Sequence, residues 1–551
     1  MLPKPGTKKN APLILLFISL IFTVSCDNEG FKNPLATGKC DDAFVAQASA
    51  MFQKSDTVNK KGIGTVAKNL RVAYRATGFH PIWLNEKYHS KAAAATLLGE
   101  LREMQWDGLD PERYHVGALA QLKIKLDTTK KNTLADAIAF DTAMTHSYLL
   151  AARDLLLGEI IPRKADSLWY HANDSSWDAP DLLAKADKAY PSLQQYRSLI
   201  PTYNLLRDEY ERCYALMKDT ELAAAIAAIH FTKKPDSALM GNINAVIRKE
   251  LPWVVTAPND TMSEQKQLLM AYQSYAGLRP TGKLDSTTTC ALTTSPDTLL
   301  AKISANMERL RWMQRDPGDL YIIVDVPLME LFLRKDGVNA MHMRVVVGKP
   351  ERQTPTLNAT MANVVINPPW GVPPTILKND VVPGFAKSGK QYLAKKGLKA
   401  YDKTGKVVRA SLLNAHNLRR YTYKQAPGDD NSLGFVKFNL PNPWDIYLHD
   451  TPHRGDFVKR FRALSSGCIR LEHPQEMAIY ILSELEHMKF DQDKMDAMIA
   501  THKTKWEILK TKIPVHIAYL TAFEDTTGKH IQFVNDVYQR DEKLISLLGK
   551  K

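Results

Sequence analysis

The hydrophobic period of this chain changes near Trp312, and that change limits the folds open to it. Ahead of Trp312 the apolar residues recur at three-and-four spacing: Ala94, Leu97, Leu98, Leu101 and Met104 share one helical face. A second helix is predicted from Ala137 to Leu157, closing at Gly158, a residue suited to a helix C-terminus. Beyond Trp312 the texture is β. Leu320 to Val326 is apolar and β-branched, Leu328 to Leu333 follows, Lys335-Asp336-Gly337 turns the chain, and His342 to Val347 continues the sheet. Further strands are predicted at Asn363 to Ile366, Phe435 to Phe438, Asp445 to Leu448 and Val515 to Thr521. A length of 551 residues excludes one compact domain. The expectation is a multidomain α+β chain, helical first and mainly β last, with a few packed helices.

Three segments qualify this outline. Pro374 to Gly434 is long and rich in Lys, Pro and Gly, the composition of a functional lid or of a disordered loop. Pro474 to Met488 presents Met477, Ala478, Ile481, Leu482, Leu485 and Met488 on one helical face, suited to packing on the sheet. In Gln265 to Leu292, Leu268, Leu269 and Tyr272 share a face, Gly277 ends the helix, Thr281-Gly282 turns, and Asp285 or Ser286 caps a second short helix.

Chemistry concentrates between Tyr447 and Pro474. The string Tyr-Leu-His-Asp-Thr-Pro is followed, after a polar spacer, by Ser-Ser-Gly-Cys-Ile-Arg-Leu-Glu-His-Pro. A thiol at its ordinary pKa is only a few per cent thiolate at neutral pH, so Cys468 needs an activating neighbour, and His449 is the nearest candidate. Gly467 allows a sharp turn that aims amide N–H groups at a developing oxyanion. Alone, a Cys beside Gly is usually structural and a His is usually a satisfied surface or core residue; the whole string is far more specific. His449 and His453 have His-x3-His spacing, but a metal site on a helix is opposed by Pro452 between them.

The string also resembles the signature of the YkuD-type L,D-transpeptidases, His-x(n)-[Ser/Thr]-x-Gly-Cys-x-[Arg/Asn], with His449, Ser465, Ser466, Gly467, Cys468 and Arg470 in those positions. Many members carry a histidine where this chain has Ser466, and the larger, YcbB-like members read Ser-Ser-Gly-Cys as here. Val347-Gly348-Lys349-Pro350, Asn367-Pro368-Pro369-Trp370-Gly371-Val372-Pro373-Pro374, Pro427-Gly428-x2-Asn431-x-Leu433-Gly434 and Tyr519-Leu520-Thr521-Ala522 resemble the same subgroup. Further forward, Gly78-Phe79-His80-Pro81-Ile82-Trp83, Asp107-Gly108-Leu109-Asp110-Pro111 and Pro191-Ser192-Leu193-Gln194-Gln195-Tyr196 resemble its helical scaffold domain. Gln273, Gly277, Leu278, Thr281, Gly282, Leu284 and Asp285 match the string of a small three-helix peptidoglycan-binding-like domain, read either as a wall-binding module or as a structural helix pair.

Residues 1–26 read as an export signal, with Lys4, Lys8 and Lys9 ahead of an apolar run from Ala11 to Val24 that is too short to argue for a stable span. Thr-Val-Ser-Cys followed by a polar run resembles a lipoprotein signal with Cys26 as the lipidated residue, the alternative being a plain cleaved signal or an uncleaved anchor. The expected divisions are 1–26 signal, 27–62 spacer, 63–250 helical scaffold, 251–300 peptidoglycan-binding-like domain and 301–551 catalytic domain, with a capping insertion at about 375–433. Cys40, Cys213 and Cys290 allow at most one disulfide among themselves, and no essential one is expected. The net charge of +14 fits a solvated basic surface or attraction to an anionic polymer, and in the absence of a nucleic-acid motif a wall polymer is favoured.

The resemblance implies a bacterial envelope enzyme facing the periplasm that cross-links peptidoglycan stem peptides through a Cys468 thioester, with His449 as base and no metal or organic cofactor. Ser466 and Gly467 belong to the oxyanion turn. Asp450 orients His449 through its backbone or its side chain; Arg470 binds a stem carboxylate or locks the turn; Tyr447 and Trp370 wall the pocket or serve as core. Stem peptides, a membrane reached through the lipid anchor and other wall-synthesis enzymes are the implied partners, and carbapenems the implied acylating inhibitors. Two other readings stay open: the same acyl-enzyme passed to water or to a protein amine, and a lipid-anchored wall-binding protein without catalysis.

Overall fold

A computed structural model describes residues 40–53, 66–172, 177–183, 190–257 and 262–549. The export signal and Cys26 lie outside them. The described residues separate into two units that do not follow chain order: one holds 40–53, 66–159, 177–183, 190–198 and 310–315, the other 160–172, 199–257, 262–309 and 316–549.

The first unit is helical. Its helices are Cys40–Gln53, Val66–Ala76, Ala92–Glu103, Val116–Thr128 and Leu134–Leu157. The last is capped at its start by the Thr133 hydroxyl, which accepts from Asp136 N, and ends at Gly158. Ala94, Leu97, Leu98 and Leu101 are buried on one face, as the spacing predicts. The helix Cys40–Gln53 falls in the stretch expected to be a spacer; Phe44, Ala48 and Phe52, four residues apart, join the core of this unit. Asp141, fully buried on the long helix, accepts from Ile82 N at 3.1 Å, Trp83 N at 2.7 Å and Tyr74 Oη at 2.5 Å. Burial raises its carboxyl to about 6.

The second unit is built on sixteen strands: β1 Trp169–Tyr170, β2 Leu320–Asp325, β3 Glu330–Lys335, β4 Val338–Gly348, β5 Thr356–Ile366, β6 Trp370–Gly371, β7 Lys399–Tyr401, β8 Val407–Val408, β9 Thr422–Gln425, β10 Val436–Asn439, β11 Leu448–His449, β12 Ala463–Ser465, β13 Ile469–Leu471, β14 Lys505–Ala518, β15 Ala522–Glu524 and β16 Ile531–Phe533. The main sheet runs β1-β5-β10-β11-β13-β4-β3-β2-β14, and β14 returns to pair with β5, so the path from β5 to β14 closes on itself. Inside lies a core of Val, Ile, Leu, Met and Phe that includes Leu448 and Ile469. Met477, Ala478, Ile481, Leu482 and Leu485 pack onto that core from the helix Pro474–Tyr480 and the wider turn Ile481–Leu485 that continues it.

Two predicted strands shift. The strand expected at 445–448 is only β11, because Asp445 has φ +53°, outside extended space. The strand expected at 515–521 begins at Lys505 and ends at Ala518. Between β5 and β10 the chain forms a small subdomain rather than an irregular loop. It has a four-stranded sheet ordered β6-β9-β7-β8 and a core of Val381, Phe385, Leu393, Leu398, Ala400, Leu413, Leu418 and Tyr423.

In the helix pair Glu264–Tyr275 and Ser286–Leu292, Gln273 is buried and locks the intervening turn. It donates to Thr288 Oγ1 and Lys283 O, both at 2.9 Å, and accepts from Gly282 N at 2.9 Å. A Cβ on Gly277 would collide with the Phe533 carbonyl. Gln273, Gly277 and Gly282 thus have visible packing and turn duties.

Candidate active site

Two short parallel strands carry the site. β11 pairs with β13 so that Leu448 lies beside Ile469 and His449 beside Arg470, and the Ile469 amide donates to Tyr447 O at 3.2 Å. Side chains alternate along a strand, and Leu448 and Ile469 are both buried in the core. Tyr447, His449, Cys468 and Arg470 therefore lie on the opposite face. β10 pairs antiparallel to β11 with Lys437 beside His449, which puts Lys437 on that face as well.

His449 is 5% exposed. Its Nδ1 lies 2.5 Å from Asp450 O, a carbonyl that only accepts, so Nδ1 carries the proton and Nε2 keeps a free lone pair. Burial, reinforced by the nearby Arg470 cation, lowers its pKa to about 3, and the ring is neutral at physiological pH. The Asp450 carbonyl, not its side chain, thus fixes the orientation of the His449 ring. The buried Asp450 carboxylate accepts from Phe435 N at 2.8 Å and Thr451 N at 2.6 Å and pairs with Arg454 at 2.5 Å. Gly434, at φ +56°, lies directly against that carboxylate.

The nucleophile turn is built from side chain to backbone. Ser465 Oγ donates to Cys468 O at 2.6 Å and accepts from Gly467 N at 3.1 Å. The Gly467 amide, expected to face an oxyanion, is therefore occupied. Gly467 sits at φ +123°, where an L side chain is strained. Thr354, fully buried, donates to Gly467 O at 2.7 Å and accepts from Gly348 N at 2.8 Å. Arg352 donates to Ser466 Oγ at 2.9 Å and also clasps Asp380 of the inserted subdomain at 2.5 and 2.9 Å.

Cys468 Sγ donates to Asp445 O at 3.6 Å, and among the described residues no hydrogen bond joins it to His449. Burial raises the thiol above its ordinary value, opposed by hydrogen bonding from Tyr447 and by the Lys437 charge. With the thiol raised and the imidazole lowered, the resting pair is neutral. Arg470 pairs with Asp456 at 3.2 Å, which favours the turn-locking role over carboxylate binding. Tyr447 meets His449 edge-on, ring centres 5.5 Å apart, and carries Lys437 Nζ 4.0 Å above its own ring. Trp370 and Tyr447 both line an open cavity of about 560 Å³, together with Lys437, Asn363, Asn439 and Asp445. Among the described residues no three His, Cys, Asp or Glu side chains gather as a metal site.

Lys437, Thr354 and Arg352 escaped the reading of the sequence. Lys437 carried the one available signal, a cation inside an otherwise apolar strand.

Residues 319–515 match the YkuD family, described as the L,D-transpeptidase catalytic domain, and residues 68–209 match the family described as Scaffold domain. A protein of Haemophilus influenzae that carries the name "Putative L,D-transpeptidase" is 31% identical over 288 residues, which cover 51% of this chain and 57% of that relative. The chain thus spans just over half of the relative's length. A solved structure described as "Structure of the Ldtfm-avibactam carbamoyl enzyme" matches over 37% of this chain and 51% of its own, at 13% identity; its TM-score of 0.19 carries no argument.

Proposed function

Because this chain carries a YkuD-type L,D-transpeptidase catalytic domain and a Scaffold domain, we propose that it cross-links peptidoglycan stem peptides through an acyl-enzyme on Cys468. The observation that supports this most is the shared face of β11 and β13, with His449 and Cys468 on it and the imidazole tautomer fixed by Asp450 O.

The Cys468 thiol turns from Asp445 O toward the donor, and Sγ attacks the carbonyl of the third stem residue while His449 Nε2 accepts the thiol proton. Backbone N–H groups of the turn stabilise the oxyanion, a contribution of about 10²–10³ in rate per donor in other enzymes. With Gly467 N engaged by Ser465, the Cys468 amide is the leading candidate. The imidazolium then protonates the departing D-alanine amine as the C–N bond breaks, leaving a thioester. An acceptor amine attacks the thioester, loses its proton to His449, and the proton returns to sulfur. Burial and Arg470 disfavour the imidazolium, so the proton is passed on rather than held.

Lipid anchoring at Cys26, an envelope location facing the periplasm, wall-synthesis enzymes as partners, wall contact by the helix pair and capping of the site by the inserted subdomain belong to the same proposal. So does acylation of Cys468 by carbapenem-like compounds. The test is incubation with purified tetrapeptide muropeptides, read by mass spectrometry. Loss of D-alanine with a new dimer, abolished in Cys468→Ala, is the expected result. Loss without dimer favours hydrolysis, and no change with an unlabelled thiol favours a wall-binding protein without catalysis.

A further inference from the structure

Lys437 forms no bond and moves no proton in the chemistry above, although its charge lowers the Cys468 thiol, and it occupies a costly position. It stands directly across the ladder from His449 and lines the cavity that Asp445 and Tyr447 also line. Among the described residues its ammonium makes no hydrogen bond and no direct ion pair; it stands 4.0 Å above the ring of Tyr447 and is offset only at longer range by the charge of Asp445. Half-buried cations are normally paired, because removing an ammonium from water is costly without a counter-charge. Arg470, the other cation on this face, is committed to Asp456. Lys437, with no carboxylate in direct contact, is therefore open to an anion.

We infer that Lys437 is the carboxylate-binding residue of the donor site, reading the free α-carboxylate of the amino acid that leaves. The inference rests on the transpeptidase reading. Lys437 and Asp445, whose backbone carbonyl accepts from the Cys468 thiol, line the same cavity, and the Lys437 charge acts directly on that thiol. The leaving residue's carboxylate carbon lies three bonds from the scissile carbonyl carbon, less than about 4 Å away. A cation placed there accepts a stem whose next residue is the last one. It disfavours a stem that continues, because the same position is then a neutral amide and the ammonium is buried without its partner. Trp370 and Tyr447 supply apolar walls that strengthen the attraction by excluding water.

The test compares two synthetic donors with the full chain: a tetrapeptide ending in a free carboxylate, and the same peptide as its C-terminal carboxamide. The wild type is expected to favour the carboxylate by about tenfold or more in kcat/KM, the scale of one charge-assisted contact. Lys437→Met also withdraws a charge that favours the Cys468 thiolate, so it is expected to slow both donors but to fall further on the carboxylate donor, mostly through KM, until the preference is lost, and Lys437→Arg to keep much of it. Circular dichroism checks that both variants fold. Equal turnover of the two donors by the wild type, or an equal loss on both in Lys437→Met, overturns the inference while leaving the transpeptidase reading intact. If the wild type processes neither donor although iodoacetamide alkylates Cys468, the transpeptidase reading fails and the carboxylate site falls with it.

Discussion

Gly434→Ala isolates the support behind the base. A Cβ built on Gly434 would stand 2.7 Å from the Asp450 Cβ and closer still to its carboxyl carbon, so the side chain must retreat by about 1 Å to reach ordinary contact. It has little freedom to do so, since Phe435 N, Thr451 N and Arg454 all hold the carboxylate. The positive φ adds strain of about 1–2 kcal/mol, and loss of one charged hydrogen bond adds about 1.5–3 kcal/mol, so destabilisation of roughly 3–5 kcal/mol is expected. The same shift carries the Asp450 carbonyl away from His449 Nδ1. A reacting group misplaced by about 1 Å loses on the order of 10²-fold in rate. Gly528→Ala is the control: its φ is +68° but no atom lies within 4 Å of the added Cβ, so it carries the strain without the collision. The assay follows donor turnover, the thermal midpoint and the downfield imidazole N–H resonance of His449 in all three proteins. If Gly434→Ala keeps turnover within roughly twofold of the wild type, the Asp450 carbonyl does not position the base.

Three further perturbations test other parts of the site. Thr354→Val keeps the shape but leaves Gly348 N–H and Gly467 C=O buried without their partner, at about 1–3 kcal/mol each; a thermal midpoint unchanged from the wild type would contradict that assignment. A neutral resting pair predicts that iodoacetamide alkylates Cys468 faster as pH rises through the alkaline range, whereas a rate already level below about pH 7 would demonstrate a thiolate–imidazolium pair. Burial lowers His171 and His449 to about 3 and His516 to about 4, while the unfolded rings titrate near 6.5. The unfolded chain therefore binds more protons between those values. Stability is complete above the unfolded pKa and is lost as pH falls toward 3, by up to ~1.4 kcal/mol per pH unit for each ring. Urea midpoints measured across that window are expected to slope less in His449→Gln, and an unchanged slope would count against a neutral buried imidazole.

His449 and Cys468 stood out in the sequence because each is a rare side chain in a specific string, and that prominence needs no register. Lys437 was not legible as part of the site, because its face is defined only once β10 pairs with β11. The same holds for Asp450, whose two candidate ways of orienting His449 differ by atoms that only geometry separates. β12 and β13 are three residues each, too short for a period to show. The inserted subdomain was expected from resemblance alone, and its sheet and core were not legible because the core residues are scattered among Lys, Pro and Gly over more than forty positions, from Val381 to Tyr423. Continuous apolar, β-branched runs such as Leu320 to Val326 were read well, since burial on both faces dictates their composition. Arg352 and Thr354 sit outside any motif, and their importance comes from reaching across the fold to Ser466 and Gly467.

The return of β14 to β5 has a consequence for the spacing of base and nucleophile. A slip of β13 by one residue against β11 would turn Cys468 and Arg470 into the core and bring Ile469 out in their place. In an open sheet such a slip can be absorbed at an edge. In a closed path it must pass through β4, β3, β2 and β14 and arrive back at β5, displacing every apolar row on the way. His449 and Cys468 thus keep their relative position by topology, although no side-chain bond between them holds it. Accommodation of different substrates falls instead to parts outside the ring: the loop of Asp445, and the inserted subdomain that Arg352 ties to Ser466.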